Sequence, residues 1–392
     1  MGKSLEVRPA ALLRQRAHDH SPYHGRVHRA PGLSRLTIAL IAATIVLVVT
    51  GLALFGSRLN WSAADKPAPT ASTLPTASTL PTTSAPSAST PPPSPTPSPE
   101  SATASTTPTP TPTVADVSFA VIGDFGSGDQ HEADVARLVA SWDPAFIVGL
   151  GDVYYSEAGG SGSERYDRAV GRYYCRWLKD VSTTGSACPQ GGASKNAFFT
   201  TIGNHDISDA EPSPESYLDY FDLPGNGFTN TSGNERYYDF VEGPVHFFVL
   251  NSNDDEPDGI TADSRQATWL RSQVAASTSR WNVVVDHHPP YSSDNSHGPT
   301  VVLQWPFARW GVDVVMSGHA HTYERIQRDG ITYFVNGLGG AHLYSFGAQP
   351  VDGSKVRFAD NWGAQRVRAT QDSITFDFID VSGALIDSYV VR

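Results

Sequence analysis

The sequence predicts an α/β layered fold built on mixed β-sheets. Three observations lead there. Apolar runs of strand length recur through residues 114–392 and end in polar or glycine-containing corners. Helix-like patterns separate several of these runs, which is strand–helix alternation. Two further stretches alternate apolar and polar residues with no helix between them, as hairpins do.

The chain has 392 residues and falls into four parts. Residues 1–35 are a basic tail with seven Lys/Arg against Glu6 and Asp19, so the remainder carries −17 of the net −12. A surface that acidic argues against a nucleic acid polymer as partner. Residues 36–56, "LTIALIAATIVLVVTGLALFG", contain no charge and are long enough to span a bilayer as a helix. A cleaved secretory signal is the rival reading, but the apolar run and the tail before it are long for one. The basic tail then stays cytoplasmic and the C-terminal bulk lies outside a single-pass cell-membrane anchor. Residues 57–113 are dominated by Ser, Thr, Pro and Ala and repeat "TASTLP" at 70–75 and 76–81. Such a segment cannot bury a core and reads as a disordered, extended stalk. Residues 114–392 form the folded domain; the sequence leaves its oligomeric state open, with a monomer favoured.

Within that domain, strands are expected at 117–124, 144–152, 197–204, 281–288 and 311–319. Helices are expected at 129–142, 262–277 and 299–310, and hairpins at 236–252 and 374–391. The two cysteines, Cys175 and Cys188, lie on the outward side, where a bridge persists. It would close a loop for which chain entropy gives about 3 kcal/mol.

Five of the runs end in a metal-capable residue: Asp124, Asp152, Asn204, His287 and His319. Sites in open α/β sheets gather beyond the carboxyl ends of strands. A single "GD" corner is an ordinary turn. Nine histidines follow the basic tail, and six of them (His205, His287, His288, His297, His319, His321) fall in these corners, which is more than chance turns supply.

The corners come in a definite order: "GDFG" (123–126), "GDVYY" (151–155), "GNHD" (203–206), "VVDH" (284–287) and "GHAH" (318–321). This order resembles the calcineurin-like metallophosphoesterase superfamily, and within it the purple acid phosphatases, whose blocks are GDxG, GDxxY, GNH, VxxH and GHxH. The resemblance covers roughly residues 117–340. It implies a four-layer αββα sandwich of two mixed β-sheets flanked by helices, with a two-metal centre. Carried over by position, one metal takes Asp124, Tyr155 and His321, and the other takes Asn204, His287 and His319. Asp152 bridges both. The ligand tyrosine stands three places after the aspartate, which selects Tyr155 over Tyr154. Many relatives carry a histidine where Gly126 stands, and Tyr155 compensates for it. Of "HH" at 287–288 only His287 fits the block. Adjacent strand residues face opposite ways, so His288 is not expected on the same metal, and it reads as a partly buried imidazole or one just behind the ligands.

The first donor set, a phenolate with two carboxylates and one imidazole, suits iron(III). The second, a carboxylate, an amide oxygen and two imidazoles, suits a divalent zinc, manganese or iron ion. Two such ions activate water for in-line attack on phosphorus. His205 first, and His297 second, are the expected proton donors to the leaving oxygen. Asp206 either orients a ligand histidine or caps a turn, and "TYER" (322–325) has no assigned role. The catalytic pattern begins directly after the stalk, as in the small single-domain enzymes of the family. The expected activity is an acid phosphatase acting on a small phosphomonoester. A phosphodiesterase of the same superfamily is the nearest alternative, and a non-catalytic surface binding module the more distant one.

Overall fold

The computed structural model describes residues 114–162, 164–179, 192–208 and 214–392. The expected tail, membrane span and stalk lie outside the described residues, as does Cys188, the partner expected for Cys175. Among the described residues no helix is long and apolar enough to cross a membrane.

Two mixed sheets form the centre. The first has six strands in the order β13-β12-β11-β1-β2-β3. Here β1 (Val117–Ile122), β2 (Phe146–Gly149) and β3 (Phe198–Thr200) run parallel. β11 (Gly363–Ala369), β12 (Ile374–Asp380) and β13 (Leu385–Val391) join antiparallel. The second sheet has seven strands in the order β10-β8-β9-β7-β6-β5-β4. β5 (Val245–Val249), β6 (Trp281–Val285), β7 (Val314–Ser317) and β9 (Ile331–Asn336) are parallel neighbours. β4 (Tyr238–Glu242), β8 (Tyr323–Arg328) and β10 (Ser354–Phe358) pair antiparallel at its margins.

The sheets bury their facing sides against each other. Phe119 on β1 meets Phe247 on β5 with ring centroids 5.3 Å apart, and Tyr323 on β8 stacks on Phe378 of β12 at 4.1 Å. Fully burying one such ring contributes about 1.5–3 kcal/mol. Burial of both faces explains the consecutive apolar runs of β6 and β7. Val283, Val285, Val314 and Met316 point into the inter-sheet core, while Val284 and Val315 point into a second core on the outer face. The helix Arg265–Ala276 covers that outer face through Ala267, Leu270 and Val274, and Ser264 caps it by accepting from the Ala267 N–H. The helix Gln130–Ser141 packs on β11 of the other sheet, with Asp129 accepting from the His131 and Glu132 N–H groups. Helix, sheet, sheet and helix thus follow one another as layers.

Two expectations need correction. The stretch 299–310 is not one helix but a single turn, Val301–Leu303, and a short helix, Phe307–Trp310. Pro306 supplies no N–H and its ring blocks the preceding turn, so a continuous helix cannot pass it. The strands β8 to β11 were also not anticipated. For β8 and β9 the signal existed: Asp329-Gly330 joins them with both residues at positive φ, 54° and 89°.

One buried acid in this framework makes stability depend on pH. Glu132 is fully buried and accepts from the Gly128 N–H at 2.7 Å. Burial, assisted by Asp129, raises its pKa well above the ordinary carboxyl value. The folded state therefore binds this proton more tightly than the unfolded state does. That advantage is complete below about pH 4.5, the ordinary value, and is lost as pH rises toward the raised folded value. Glu132→Gln should melt higher than wild type near pH 8 and equally near pH 4, at about 2–4 °C for each kcal/mol. A melting offset that is the same at both pH values would refute this origin.

Candidate metal centre

Five loops leave the carboxyl ends of β1, β2, β3, β6 and β7 and meet at one place. The strands end two to four residues before Asp124, Asp152, Asn204, His287 and His319, so these residues lie beyond the sheet edge, with Asn204 opening the short helix Asn204–Ser208. Asp124, Asp152 and His319 all hold positive φ, at 56°, 50° and 66°, a strained conformation for residues with a Cβ. The glycine before each corner has a steric reason. A Cβ on Gly203 would lie 2.1 Å from Asp152 Oδ1, and one on Gly318 would lie 2.6 Å from Asp124 Oδ2.

Four donors converge on one side. Tyr155 Oη lies 3.1 Å from Asp152 Oδ2, 3.4 Å from Asp124 Oδ1 and 3.1 Å from His321 Nε2. His321 Nε2 is 3.4 Å from Asp124 Oδ1. On the other side His287 Nε2 is 3.0 Å from Asn204 Oδ1 and 3.4 Å from Asp152 Oδ1. Ring nitrogens of His287, His288 and His319 lie within 4.8 Å of one another, as do candidate donor atoms of Asp124, Asp152 and His287. Asp152 faces both groups, one oxygen to each. The structure thus brings together all seven residues expected to be ligands.

It also brings in His288, against the opposite-facing orientation expected of it. β6 ends at Val285, so strand alternation no longer governs residues 287 and 288. Both rings turn toward the site, with His288 4.3 Å from the His319 ring and its Nδ1 2.8 Å from Ser252 Oγ. Burial, then the neighbouring His287 charge, lowers the His288 pKa to about 3. It is a neutral imidazole beside the second donor set.

Two of these rings are oriented from behind. His287 Nδ1 is 2.8 Å from the Leu150 carbonyl and His321 Nδ1 is 2.6 Å from the His342 carbonyl. Each contact leaves Nε2 aimed at the site. Tyr344 stacks on His321 at 4.1 Å. Sequence reasoning missed Ser252, Leu150, His342 and Tyr344, because none belongs to a motif. Among the described residues, the side chain of Asp206 bonds to backbone N–H groups rather than to a histidine ring. It accepts from the Gly203 N–H at 2.8 Å and the Val153 N–H at 3.4 Å, so it fastens two ligand loops together.

Gly126 leaves no room for a side chain. A Cβ would lie 2.1 Å from the Val153 carbonyl carbon. The Gly126 carbonyl instead accepts from the Tyr155 N–H at 2.9 Å, which sets the register that delivers the phenol.

Charge shows that the cluster suits cations. Burial works against the Asp152 carboxylate, yet His287 and His205 outweigh it and hold its pKa well below the usual range. Burial likewise opposes a charge on His287, but Asp152 and then Asp124 raise it to about 10. Burial, then Asp152 and Asp124, pushes the Tyr155 phenol well above its ordinary value, so only a strongly charged cation would ionise it. Oxygen-rich and nitrogen-rich donors on either side of one carboxylate fit two metal ions.

His205 borders the centre. Its N–H donates to Asp152 Oδ1 at 2.9 Å, and its ring lies 4.6 Å from that of Tyr155. Both line a cleft of about 500 Å³ with Glu157, His342 and Trp362. His297 is exposed on the opposite loop, its ring 4.1 Å from His319 and its Nε2 3.3 Å from Tyr344 Oη.

Residues 117–323 match the calcineurin-like phosphoesterase family, and the chain belongs to that family. Within it the chain is purple acid phosphatase-like. It is 25% identical over 289 residues to purple acid phosphatase 23 of Arabidopsis thaliana, a match covering 67% of this chain and 58% of that protein. The purple acid phosphatase of yellow lupin (Lupinus luteus) seeds shares the fold, with a TM-score of 0.56 and 16% identity over 71% of this chain and 54% of the other. So does GAP50 of Plasmodium, the anchor in its inner membrane complex, with a TM-score of 0.52 and 17% identity over 71% and 89% of the two chains. The chain spans about half the length of the curated relatives it matches.

Proposed function

We propose that this chain is an acid phosphatase that hydrolyses phosphate monoesters at a two-metal centre. Iron(III) would occupy the set of Asp124, Tyr155 and His321, and zinc, manganese or iron(II) the set of Asn204, His287 and His319, with Asp152 shared. The observation that carries this reading is the buried meeting of a phenol, two carboxylates and an imidazole beside a histidine-rich set. Bound there, the metals would activate water and offset charge on the phosphoryl oxygens.

The remaining work falls to side chains of this chain. Asp152 fixes His205 through its backbone N–H, leaving the imidazole at the wall of the cleft where a leaving group would lie. Protonated, that ring donates to the departing ester oxygen. His297 approaches from the other side and binds a phosphoryl oxygen or serves as the second proton source. The charge-free run 36–56 and its basic flank support display outside the cell membrane, with the expected stalk between.

The test is hydrolysis by the full chain loaded with iron and zinc, assayed on a monoester and a diester, with intact and broken cells compared. Monoester turnover should exceed diester turnover, and intact cells should show it without lysis. Preference for the diester would overturn the monoesterase reading, and activity only after lysis would overturn the display.

A further inference from the structure

"TYER" lies just beyond the last ligand histidine, and its acid has no part in the donor set. Glu324 is fully buried on β8. Its carboxylate accepts from the Ser293 N–H at 2.7 Å and from the Ser293 hydroxyl at 2.5 Å, and it also accepts from the Ser354 hydroxyl at 2.5 Å. Ser293 opens the loop that carries His297. A second buried carboxylate, Asp294, grips the far half of the same loop. It accepts from the N–H groups of Ser296 at 2.7 Å, His297 at 3.0 Å and Gly298 at 2.8 Å, and from the Ser292 hydroxyl at 3.2 Å. Backbone bonds from Asn295 to Ser345 and from Gly347 to Ser293 strap the loop to the segment bearing Tyr344.

We propose that Glu324 and Asp294 form a two-carboxylate clamp that positions His297 over the metal centre. The loop base (Ser292, Ser293, Asp294) is buried, while Asn295, Ser296 and His297 are exposed. An exposed tip would otherwise sample many conformations, and ordering it costs roughly 1–2 kcal/mol per residue. Charged acceptors on backbone N–H groups offset that cost better than neutral ones. Within this exposed tip, His297 is the residue that reaches the site, touching His319 and Tyr344. Glu324 and Asp294 are therefore positioning residues that act through His297. This inference rests on the phosphatase reading given above.

The experiment is a double-variant cycle on the metal-loaded full chain. Glu324→Gln should slow monoester hydrolysis by the same factor as His297→Ala, about 10²-fold if His297 gives its proton in the rate-limiting step. The split between kcat and KM should match, and metal content should not change. The double variant should be no slower than His297→Ala alone. Losses that multiply, or a Glu324→Gln enzyme with wild-type turnover, would overturn the proposal. If Glu324→Gln fails to fold, Asp294→Asn carries the same cycle. Hydrogen exchange at the Ser296, His297 and Gly298 amides gives a readout independent of turnover, and either variant should lose protection there. If wild type hydrolyses no monoester, the phosphatase reading fails. Unchanged exchange in both variants would then refute the clamp separately.

Discussion

Asp152→Asn should abolish turnover, by at least about 10³-fold, beyond what loss of one stabilising hydrogen-bond donor costs an enzyme. The reason lies in the two oxygens of Asp152. One is 3.1 Å from the Tyr155 phenol, and the other faces His287 and accepts the His205 N–H. Asparagine keeps one acceptor, turns the other into a donor, and removes the charge that both sides share. Bound metal should fall below two ions per chain. His287 should also lose its elevated pKa, since Asp152 is the main group raising it against burial. An Asp152→Asn protein that keeps two metals and works within tenfold of wild type would remove Asp152 from the shared position.

How much of this centre could be read from the chain depended on the kind of signal each residue carried. Asp124, Asp152, Asn204, His287 and His319 were legible because each follows an apolar strand and a tight glycine or aspartate corner. The geometry shows why those corners are fixed, since a side chain on Gly203 or Gly318 would occupy the ligand carboxylate. The opposite-facing orientation expected of His288 failed because the alternation rule was carried past the end of β6, into a turn where it has no force, while its place as a partly buried imidazole stands. Tyr344 was invisible for a different reason. It lies in a loop without periodicity and reaches His321 only because β9 crosses to pair parallel with β7. The role of Glu324 depended on the same closure, since its partners are 31 and 30 residues away in sequence. In the fold, β10 was hidden by its half-exposed, polar-rich sequence, "SKVRF", which buries too little to stand out. Parallel core strands announce themselves by burying both faces, and edge strands do not.

Tyr155→Phe should remove any visible colour and weaken the metal bound by Asp124 and His321, while Tyr154→Phe should leave the spectrum unchanged. The two rings are neighbours in sequence but occupy different surroundings. Tyr155 Oη points among Asp124, Asp152 and His321. Tyr154 turns into the core, with its ring 5.9 Å from Tyr166 and the Arg165 guanidinium 5.2 Å from its face. The backbone sets this choice, because the Tyr155 N–H is held by the Gly126 carbonyl at 2.9 Å and Tyr155 itself is extended, with φ −123° and ψ 152°. Burial, then Asp152 and Asp124, pushes the Tyr155 phenol well above its ordinary value. Its ionisation, and the charge-transfer band that an iron(III)–phenolate pair gives, therefore reports directly on a highly charged ion at this position. Phenylalanine fits the same space, so the variant should fold. Visible absorption with metal analysis of both variants decides the matter. A colourless wild-type protein that contains no iron yet hydrolyses a monoester would rule out iron(III) here and keep the two-metal reading. Colour lost in Tyr154→Phe but kept in Tyr155→Phe would shift the ligand register of the loop by one residue.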